Sequence, residues 1–185
     1  MNLPQAHIGN LPNTLSIMRL IFIPAVVICL YFPGRLESFL AAAFFSLAAL
    51  TDLLDGLLAR RYRVVTPVGK LLDPLADKLL ISVTMIMLIT LGRIPAWIVI
   101  LIIAREMAVT GLRGIAVAEG KVIEASYLGK YKTVFQSVSL IFLCLHYQYA
   151  RIDFHTVGIV LLWAALILTL WSGFRYFRFA KKVLL

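Results

Sequence analysis

Six long apolar stretches run through this chain of 185 residues. They cover residues 12–31, 37–59, 67–91, 94–117, 128–149 and 156–177. A helix needs about 20 apolar residues to cross the hydrocarbon layer of a bilayer, and each stretch is long enough. The sequence therefore predicts an all-α, polytopic membrane protein with six transmembrane helices, folded as a single domain over residues 1–185.

The composition excludes a water-soluble globular protein. Hydrophobic residues make up 62% of the chain and charged residues 15%, whereas soluble domains have about 45–50% and about 25%. The mean hydropathy is +0.94. Pro33-Gly34 separates the first two stretches and Gly92-Arg93-Ile94-Pro95 the third and fourth, as expected of residues that end helices.

The basic residues predict the orientation of the chain, which carries a net charge of +9. Arg35, Arg93 and Arg151 lie at one end of the helices, and the other Lys and Arg residues lie at or toward the end that holds both termini. Because cytoplasmic loops are enriched in Lys and Arg, we expect both termini in the cytoplasm. The basic excess then indicates contact with anionic membrane lipid rather than nucleic acid. We expect a bacterial cytoplasmic (inner) membrane, since no arginine-rich transit segment precedes the first stretch.

Four aspartates lie in the second and third stretches, where a buried charge costs about 2.5–3.5 kcal/mol. Asp52 and Asp55 are three residues apart, and Asp73 and Asp77 are four residues apart, so each pair shares one helix face. Carboxylates clustered without Cys or His suit Mg²⁺, Mn²⁺ or Ca²⁺ rather than zinc or copper. The alternative is a network of ion pairs with nearby basic residues, but four acids on two coherent faces exceed what helix packing requires. The basic residues of that alternative are Arg60, Arg61, Lys70 and Lys78.

Small residues accompany these acids. Gly56 and Ala59 lie near the acidic face of the second stretch, and Gly69 lies near that of the third. Their lack of side-chain bulk lets a planar or phosphate-bearing ligand approach the backbone.

Polar side chains form one sector on each of the fourth and fifth stretches. The sectors contain Arg105, Glu106 and Arg113 on the fourth, and Lys132, Gln136 and Ser139 on the fifth. Arg105 is near the middle of its stretch, so we expect it to face a cavity inside the protein rather than lipid. Because adjacent helix residues do not face one another, we expect Glu106 to pair with another helix and not with Arg105.

The pattern Asp52-x₂-Asp55-Gly56-x₂-Ala59-Arg60-x₈-Gly69-x₃-Asp73-x₃-Asp77 resembles in full the motif of the CDP-alcohol phosphatidyltransferase family. Eight fixed positions at fixed spacing make this resemblance specific, and the six-helix domain of the family accounts for essentially the whole chain. Within the family, the stretches around Arg105, Arg113 and Lys132 are most similar to bacterial members that use glycerol-3-phosphate as acceptor.

The resemblance implies transfer of the phosphatidyl group from CDP-diacylglycerol to glycerol-3-phosphate, with release of CMP. It implies two Mg²⁺ (or Mn²⁺) ions, an active site toward the cytoplasm, and a homodimer. Asp77 would be the general base. The implied metal ligands are Asp52, Asp55, Asp73 and Asp77. The residues implied to bind CDP-diacylglycerol are Asp52, Gly56, Ala59, Arg60, Gly69 and Asp73.

The acceptor carries its own phosphate, so its site is expected to contain cations. The candidates are Arg105, Arg113, Lys130 and Lys132. The planar guanidinium of arginine suits two phosphate oxygens at once, and lysine acts as a point charge.

Two alternatives remain open. The first keeps the family's chemistry but uses inositol phosphate, serine or phosphatidylglycerol as the acceptor. The second is a small cation transporter with the membrane carboxylates as its ion path. Transport needs acids distributed across the membrane, whereas the four motif acids cluster toward the cytoplasmic side.

Overall fold

The computed structural model of the chain is helical, with one short β-hairpin over the described residues. The backbone is described for residues 11–32, 34–62, 67–120, 127–149 and 151–184, and the side chains for 18–32, 34–51, 75–120, 129, 131–148 and 151–178. The helices are α1 (Leu11–Tyr31), α2 (Arg35–Tyr62), α3 (Pro67–Thr90), α4 (Ala96–Ala118), α5 (Tyr127–Leu145) and α6 (Phe154–Leu184). Strands β1 (Gln148–Tyr149) and β2 (Ile152–Asp153) lie between α5 and α6.

Each predicted apolar stretch coincides with one helix, which confirms the all-α prediction, but the bounds differ at several helix ends. The fourth helix begins after Pro95, because this proline has an extended backbone conformation, with φ −69° and ψ 132°. The fifth ends at Leu145, since the chain turns at His146, which has a φ of 55°. The sixth continues to Leu184, beyond the predicted end at residue 177.

The β-hairpin was not predicted from the sequence. Its antiparallel strands are joined through Arg151, whose φ is 67°. Asp153 at its end caps α6: Oδ1 accepts a hydrogen bond from the backbone N–H of His155 at 3.1 Å, and Oδ2 accepts one from the Thr156 hydroxyl at 2.5 Å. A side-chain oxygen at this position satisfies backbone donors that have no partner within the helix. The hairpin therefore also sets the start of α6.

Two histidines meet beside the hairpin, with the Nδ1 atoms of His146 and His155 3.2 Å apart. Burial lowers the pKa of His146, and the positive charge of Arg93 and the proximity of His155 lower it further, although Asp153 opposes the shift. The hydrogen bond from Thr156 lowers the pKa of Asp153. The neutral form of His146 and the ionised form of Asp153 are therefore the forms that this turn favours.

The chain divides into two compact units, Met1–Leu88 and Ile89–Leu185. In the first unit α1 packs against α2. The buried apolar side chains of this contact region include Val26 and Leu30 from α1 and Ala41, Phe45 and Ala48 from α2. The prediction of a single domain over 1–185 stays a prediction.

In the second unit α6 packs against both α4 and α5. The approach to α5 is close at Gly158, whose carbonyl accepts a hydrogen bond from the Ser139 hydroxyl at 2.8 Å. At the end of α5, Arg93 Nη1 donates hydrogen bonds to the carbonyls of Leu143 and Cys144, at 3.3 and 2.8 Å. A cation suits this end of a helix, where the last carbonyls have no partner within the helix. The start of α4 and the end of α5 are thus connected by a buried arginine.

In addition to an apolar core, the described part of the chain exposes large apolar side chains and buries several polar ones. Large apolar side chains are exposed, such as Ile21 and Ile100, both at 63%. Arg93, Lys132 and Gln136 are buried. Soluble monomers rarely expose contiguous apolar surface of this kind, whereas polar groups in membrane helices face the protein interior. This distribution favours a membrane protein.

One described segment, Phe154–Arg178 in α6, is both long and apolar enough to cross a membrane. Met18–Tyr31 and Tyr131–Leu145 are shorter apolar helices. The lengths of these segments count only residues whose side chains the structure describes.

The substitution Gly158→Ala is expected to destabilise the α5–α6 contact by about 1–3 kcal/mol, the usual cost of over-packing a core. The added Cβ would lie 2.7 Å from Leu143 Cγ and 3.1 Å from the Leu143 backbone nitrogen. Thermal unfolding in detergent measures the loss. Gly114→Ala is the matched control, because a Cβ there has no described atom within 4 Å. An unfolding temperature of Gly158→Ala at or above that of the control would contradict the close packing.

Candidate functional site

The four predicted metal ligands lie on α2 and α3, in the first unit. The backbone is helical through Asp52 and Asp55 on α2 and through Asp73 and Asp77 on α3. Spacings of three and four residues therefore place each pair on one face of its helix. The side chains of Asp52, Asp55 and Asp73 lie outside the described residues, so their role as ligands stays a prediction.

Asp77 is the motif acid whose side chain the structure describes. It is half-buried and takes part in a polar or electrostatic interaction. On the same helix Ala76 and Leu80 are buried, whereas Leu75 is 52% exposed. Asp77 therefore lies at the border between the buried and exposed faces of α3, where a carboxylate keeps access to water and to a ligand.

The positions predicted to bind CDP-diacylglycerol are also in these helices. Gly56, Ala59 and Arg60 belong to α2 and Gly69 to α3. Their side-chain surroundings lie outside the described residues, and their binding role stays a prediction.

The second unit brings together most of the predicted acceptor-binding cations. Lys132 on α5 is buried, and its ammonium group forms an ion pair with the carboxylate of Glu106 on α4. This ion pair confirms that Glu106 pairs with another helix. The predicted absence of a contact between Glu106 and its neighbour Arg105 was wrong, because Arg105 Nη1 lies 3.6 Å from Glu106 Oε1. Arginine is long enough for its guanidinium to reach a neighbouring carboxylate even where the two Cβ atoms diverge.

Arg105 points toward α6. Its side chain is 11% exposed, and Nη2 donates a hydrogen bond of 2.7 Å to the hydroxyl oxygen of Ser172. That hydroxyl donates its own hydrogen to the carbonyl of Leu168, at 2.7 Å. The serine oxygen is thereby fixed as an acceptor for Arg105. The expectation that Arg105 faces the protein interior fits this geometry.

Arg113 is exposed and also contacts α6. The guanidinium carbon lies 5.3 Å from the centre of the Tyr176 ring, within the range of a cation–π interaction. The Tyr176 side chain is buried, with 7% exposure. The side chain of Lys130, the remaining predicted cation, lies outside the described residues.

The charges of this cluster do not cancel. Arg105, Arg113 and Lys132 are three cations, and among the described side chains the carboxylate of Glu106 pairs with Arg105 and Lys132. A phosphate monoester carries a charge of about −1.5 to −2 at pH 7. The excess of two positive charges is therefore suited to one phosphate group.

Sequence reasoning missed the contribution of α6. Ser172 and Tyr176 were not among the predicted site residues, although both contact a predicted arginine. The signal was present: Thr169, Ser172, Gly173 and Tyr176 follow the i, i+3, i+4, i+7 spacing of one helix face within an apolar helix.

The sequence matches the family model described as CDP-alcohol phosphatidyltransferase over residues 9–171. This range includes the four aspartates and the cations of α4 and α5. It ends immediately before Ser172. Ser172 and Tyr176, which contact Arg105 and Arg113, therefore lie outside the matched range.

Several relatives are similar over nearly their whole length. A Bacillus subtilis protein named CDP-diacylglycerol–glycerol-3-phosphate 3-phosphatidyltransferase is 42% identical, over 91% of this chain and 93% of the relative. Proteins of the same name from Rickettsia bellii and Rickettsia felis are each 40% identical, over 94% of this chain and 96% of the relative.

The carboxylate of Glu106 brings Lys132 and Arg105 together. Its removal is therefore expected to destabilise the second unit. A double-mutant cycle of Glu106→Gln and Lys132→Met should give a coupling energy of about 0.5–3 kcal/mol, as for other contacting pairs. Chemical or thermal unfolding of the four proteins in detergent supplies the measurement. Free energies that add without coupling would show that the ion pair contributes nothing to stability.

Proposed function

The chain belongs to the CDP-alcohol phosphatidyltransferase family, and from this premise we propose that it is a membrane transferase that makes phosphatidylglycerophosphate. It transfers the phosphatidyl group of CDP-diacylglycerol to glycerol-3-phosphate and releases CMP. The observation that carries the proposal is the 42% identity, over 91% of the chain, to a relative named for this reaction. The family resemblance seen in the sequence is thereby confirmed.

The cluster of Arg105, Arg113, Lys132 and Glu106 supports an acceptor that carries a phosphate. Serine has no phosphate, and the phosphodiester of phosphatidylglycerol carries one negative charge. Either acceptor would leave part of the positive excess of the cluster uncompensated. Inositol phosphate meets the charge requirement, but the names of the relatives favour glycerol-3-phosphate.

The donor set of the motif fits two divalent cations, Mg²⁺ or Mn²⁺. Carboxylate oxygens are the ligands that these hard cations prefer, and the helical backbone of α2 and α3 gives each pair of aspartates one face. Asp52, Asp55, Asp73 and Asp77 would hold the ions. When bound, such ions neutralise the pyrophosphate and stabilise the charge that develops on the departing CMP.

The residues of the chain have separate tasks in this proposal. Asp77 accepts the proton of the attacking glycerol-3-phosphate hydroxyl, while the new oxygen–phosphorus bond forms and the bond to CMP breaks. The half-buried position of Asp77 fits a base that must reach its substrate. Nucleotide-lipid binding is assigned to Gly56, Ala59, Arg60 and Gly69, together with Asp52 and Asp73. Binding of the acceptor phosphate is assigned to Arg105, Arg113, Lys130 and Lys132.

We further propose that all six helices span a bacterial cytoplasmic membrane, with both termini and the active site on the cytoplasmic side. The basic residues near the terminal end support this orientation, and the exposed apolar side chains support lipid contact. We also propose that the protein forms a homodimer and contacts anionic lipid.

The reaction can be tested by CMP release from CDP-diacylglycerol in mixed micelles with Mg²⁺ or Mn²⁺. Glycerol-3-phosphate is expected to support release well above the rates with inositol phosphate, serine or phosphatidylglycerol, because it matches the charge of the cation cluster. Absence of CMP release with every acceptor and either metal ion would reject the proposal, and a faster rate with another acceptor would reassign the substrate.

Asp77→Asn is expected to reduce turnover by about 100-fold or more, the usual contribution of a general base. Binding of CDP-diacylglycerol should be largely retained, whereas Asp73→Asn should also weaken metal binding, measured by the thermal shift with Mn²⁺. Asp153→Asn is the matched control, because asparagine also caps a helix and Asp153 lies in the hairpin. Wild-type turnover in Asp77→Asn would remove Asp77 from the base role.

A further inference from the structure

We propose that one face of α6 positions the two acceptor-binding arginines, through Ser172, Gly173 and Tyr176. This inference rests on the proposed function, because it concerns how Arg105 and Arg113 are held for a phosphate. The three residues are positioning residues, since each acts through an arginine. They lie beyond the part of the chain that matches the family model.

The buried face of α6 changes character along the helix. In its first half the face is apolar, with Leu162, Ala165 and Leu166 buried. In its second half Thr169 and Ser172 are buried in the same stripe. Outward-facing residues nearby remain apolar, such as Trp171 at 64% exposure. A polar stripe buried within an apolar helix needs a partner inside the protein.

Ser172 holds the end of the Arg105 side chain. Its oxygen accepts the 2.7 Å hydrogen bond from Nη2, and its hydrogen is directed to the Leu168 carbonyl. The N–H groups of the guanidinium that are directed at neither Ser172 nor Glu106 are then available to a phosphate. Arg105 Nε is buried and has no hydrogen-bond partner among the described residues. A buried donor in this state is unfavourable unless a ligand or a water molecule satisfies it.

Gly173 makes room for the stem of the same arginine. A Cβ at this position would lie 3.0 Å from Arg105 Cγ and 3.1 Å from Nε, closer than side chains normally approach. An alanine at this position would displace Arg105 by a few tenths of an ångström. Glycine therefore sets how deeply the arginine lies against α6.

Tyr176 supports Arg113 from one side. Its ring faces the guanidinium at 5.3 Å, while Arg113 itself is exposed. Its hydroxyl is buried and has no hydrogen-bond partner among the described residues, and the same holds for the Thr169 hydroxyl. With Arg105 Nε, three buried polar atoms on or against this face of α6 have no described partner, and each requires a water molecule or a ligand to satisfy it.

The test compares steady-state kinetics of CMP release in variants of the full-length protein. Gly173→Ala is the sharpest substitution, because alanine favours the helix but displaces Arg105. The expected result is an increase of about tenfold in the KM for glycerol-3-phosphate, with the KM for CDP-diacylglycerol unchanged. Gly114→Ala, where the added Cβ meets no described atom, should leave both values unchanged.

Ser172→Ala should also raise the KM for glycerol-3-phosphate, and Ser172→Thr, which keeps the hydroxyl, should restore it. The control is Ser46→Ala on α2, since the Ser46 hydroxyl donates to the Ala42 carbonyl at 2.7 Å, as Ser172 donates to Leu168. Tyr176→Leu should raise the same KM by about threefold, because it removes the ring that supports Arg113.

Two outcomes would overturn the inference. One is a KM for glycerol-3-phosphate within twofold of the wild type in both Gly173→Ala and Ser172→Ala. The other is a parallel increase in the KM of both substrates, which would mean general disturbance of packing. The thermal shift produced by inorganic phosphate is measured alongside and does not depend on turnover. If the wild type is stabilised by phosphate and Gly173→Ala is not, the positioning role holds even where CMP release fails and the proposed reaction is rejected.

Discussion

An ionised side chain within an apolar helix must find its partners inside the protein, because hydrocarbon offers no hydrogen bonds. In the second unit this constraint is met by a chain of contacts from Lys132 to Glu106, Arg105 and Ser172. The first contact connects α5 to α4, and the last connects α4 to α6. The contacts that make these charges tolerable in lipid therefore also determine how the three helices pack. Affinity for a phosphate and stability of the unit depend on the same side chains.

The helix α6 combines two kinds of packing. Its first half packs closely against α5 at Gly158 and Leu143, because glycine has no side chain to separate the two helices. Its second half contacts α4 through polar side chains, at Ser172 and Tyr176. Because a helix is stiff, close packing in the first half fixes where the polar face of the second half lies. The Asp153 cap contributes to this by setting where α6 begins.

The sequence was sufficient to predict the six helices, because each apolar stretch has the length and composition of a membrane helix. It also predicted that Glu106 pairs with another helix, from the rule that adjacent helix residues do not face one another. The hairpin was missed, since strands of two residues have no periodicity to detect. The contact of Arg105 with Glu106 was missed because sequence spacing gives the direction in which each Cβ atom leaves the helix. It does not give the position of the guanidinium at the end of a long side chain. The contacts of Ser172 and Tyr176 with the two arginines could not be predicted, because they depend on the packing of α6 against α4.

The presence of a carboxylate in a cluster that should bind an anion follows from the same balance of charge. Without Glu106, Arg105 and Lys132 would repel each other inside a medium of low dielectric constant, where such repulsion is strong. With a second carboxylate, the cluster would lose most of its attraction for a dianion. One acid among three cations limits the repulsion in the free protein and still leaves a positive excess that a phosphate can neutralise. Arginine suits this arrangement better than lysine, because its five N–H groups allow Arg105 to keep Ser172 as a partner while other donors bind the ligand.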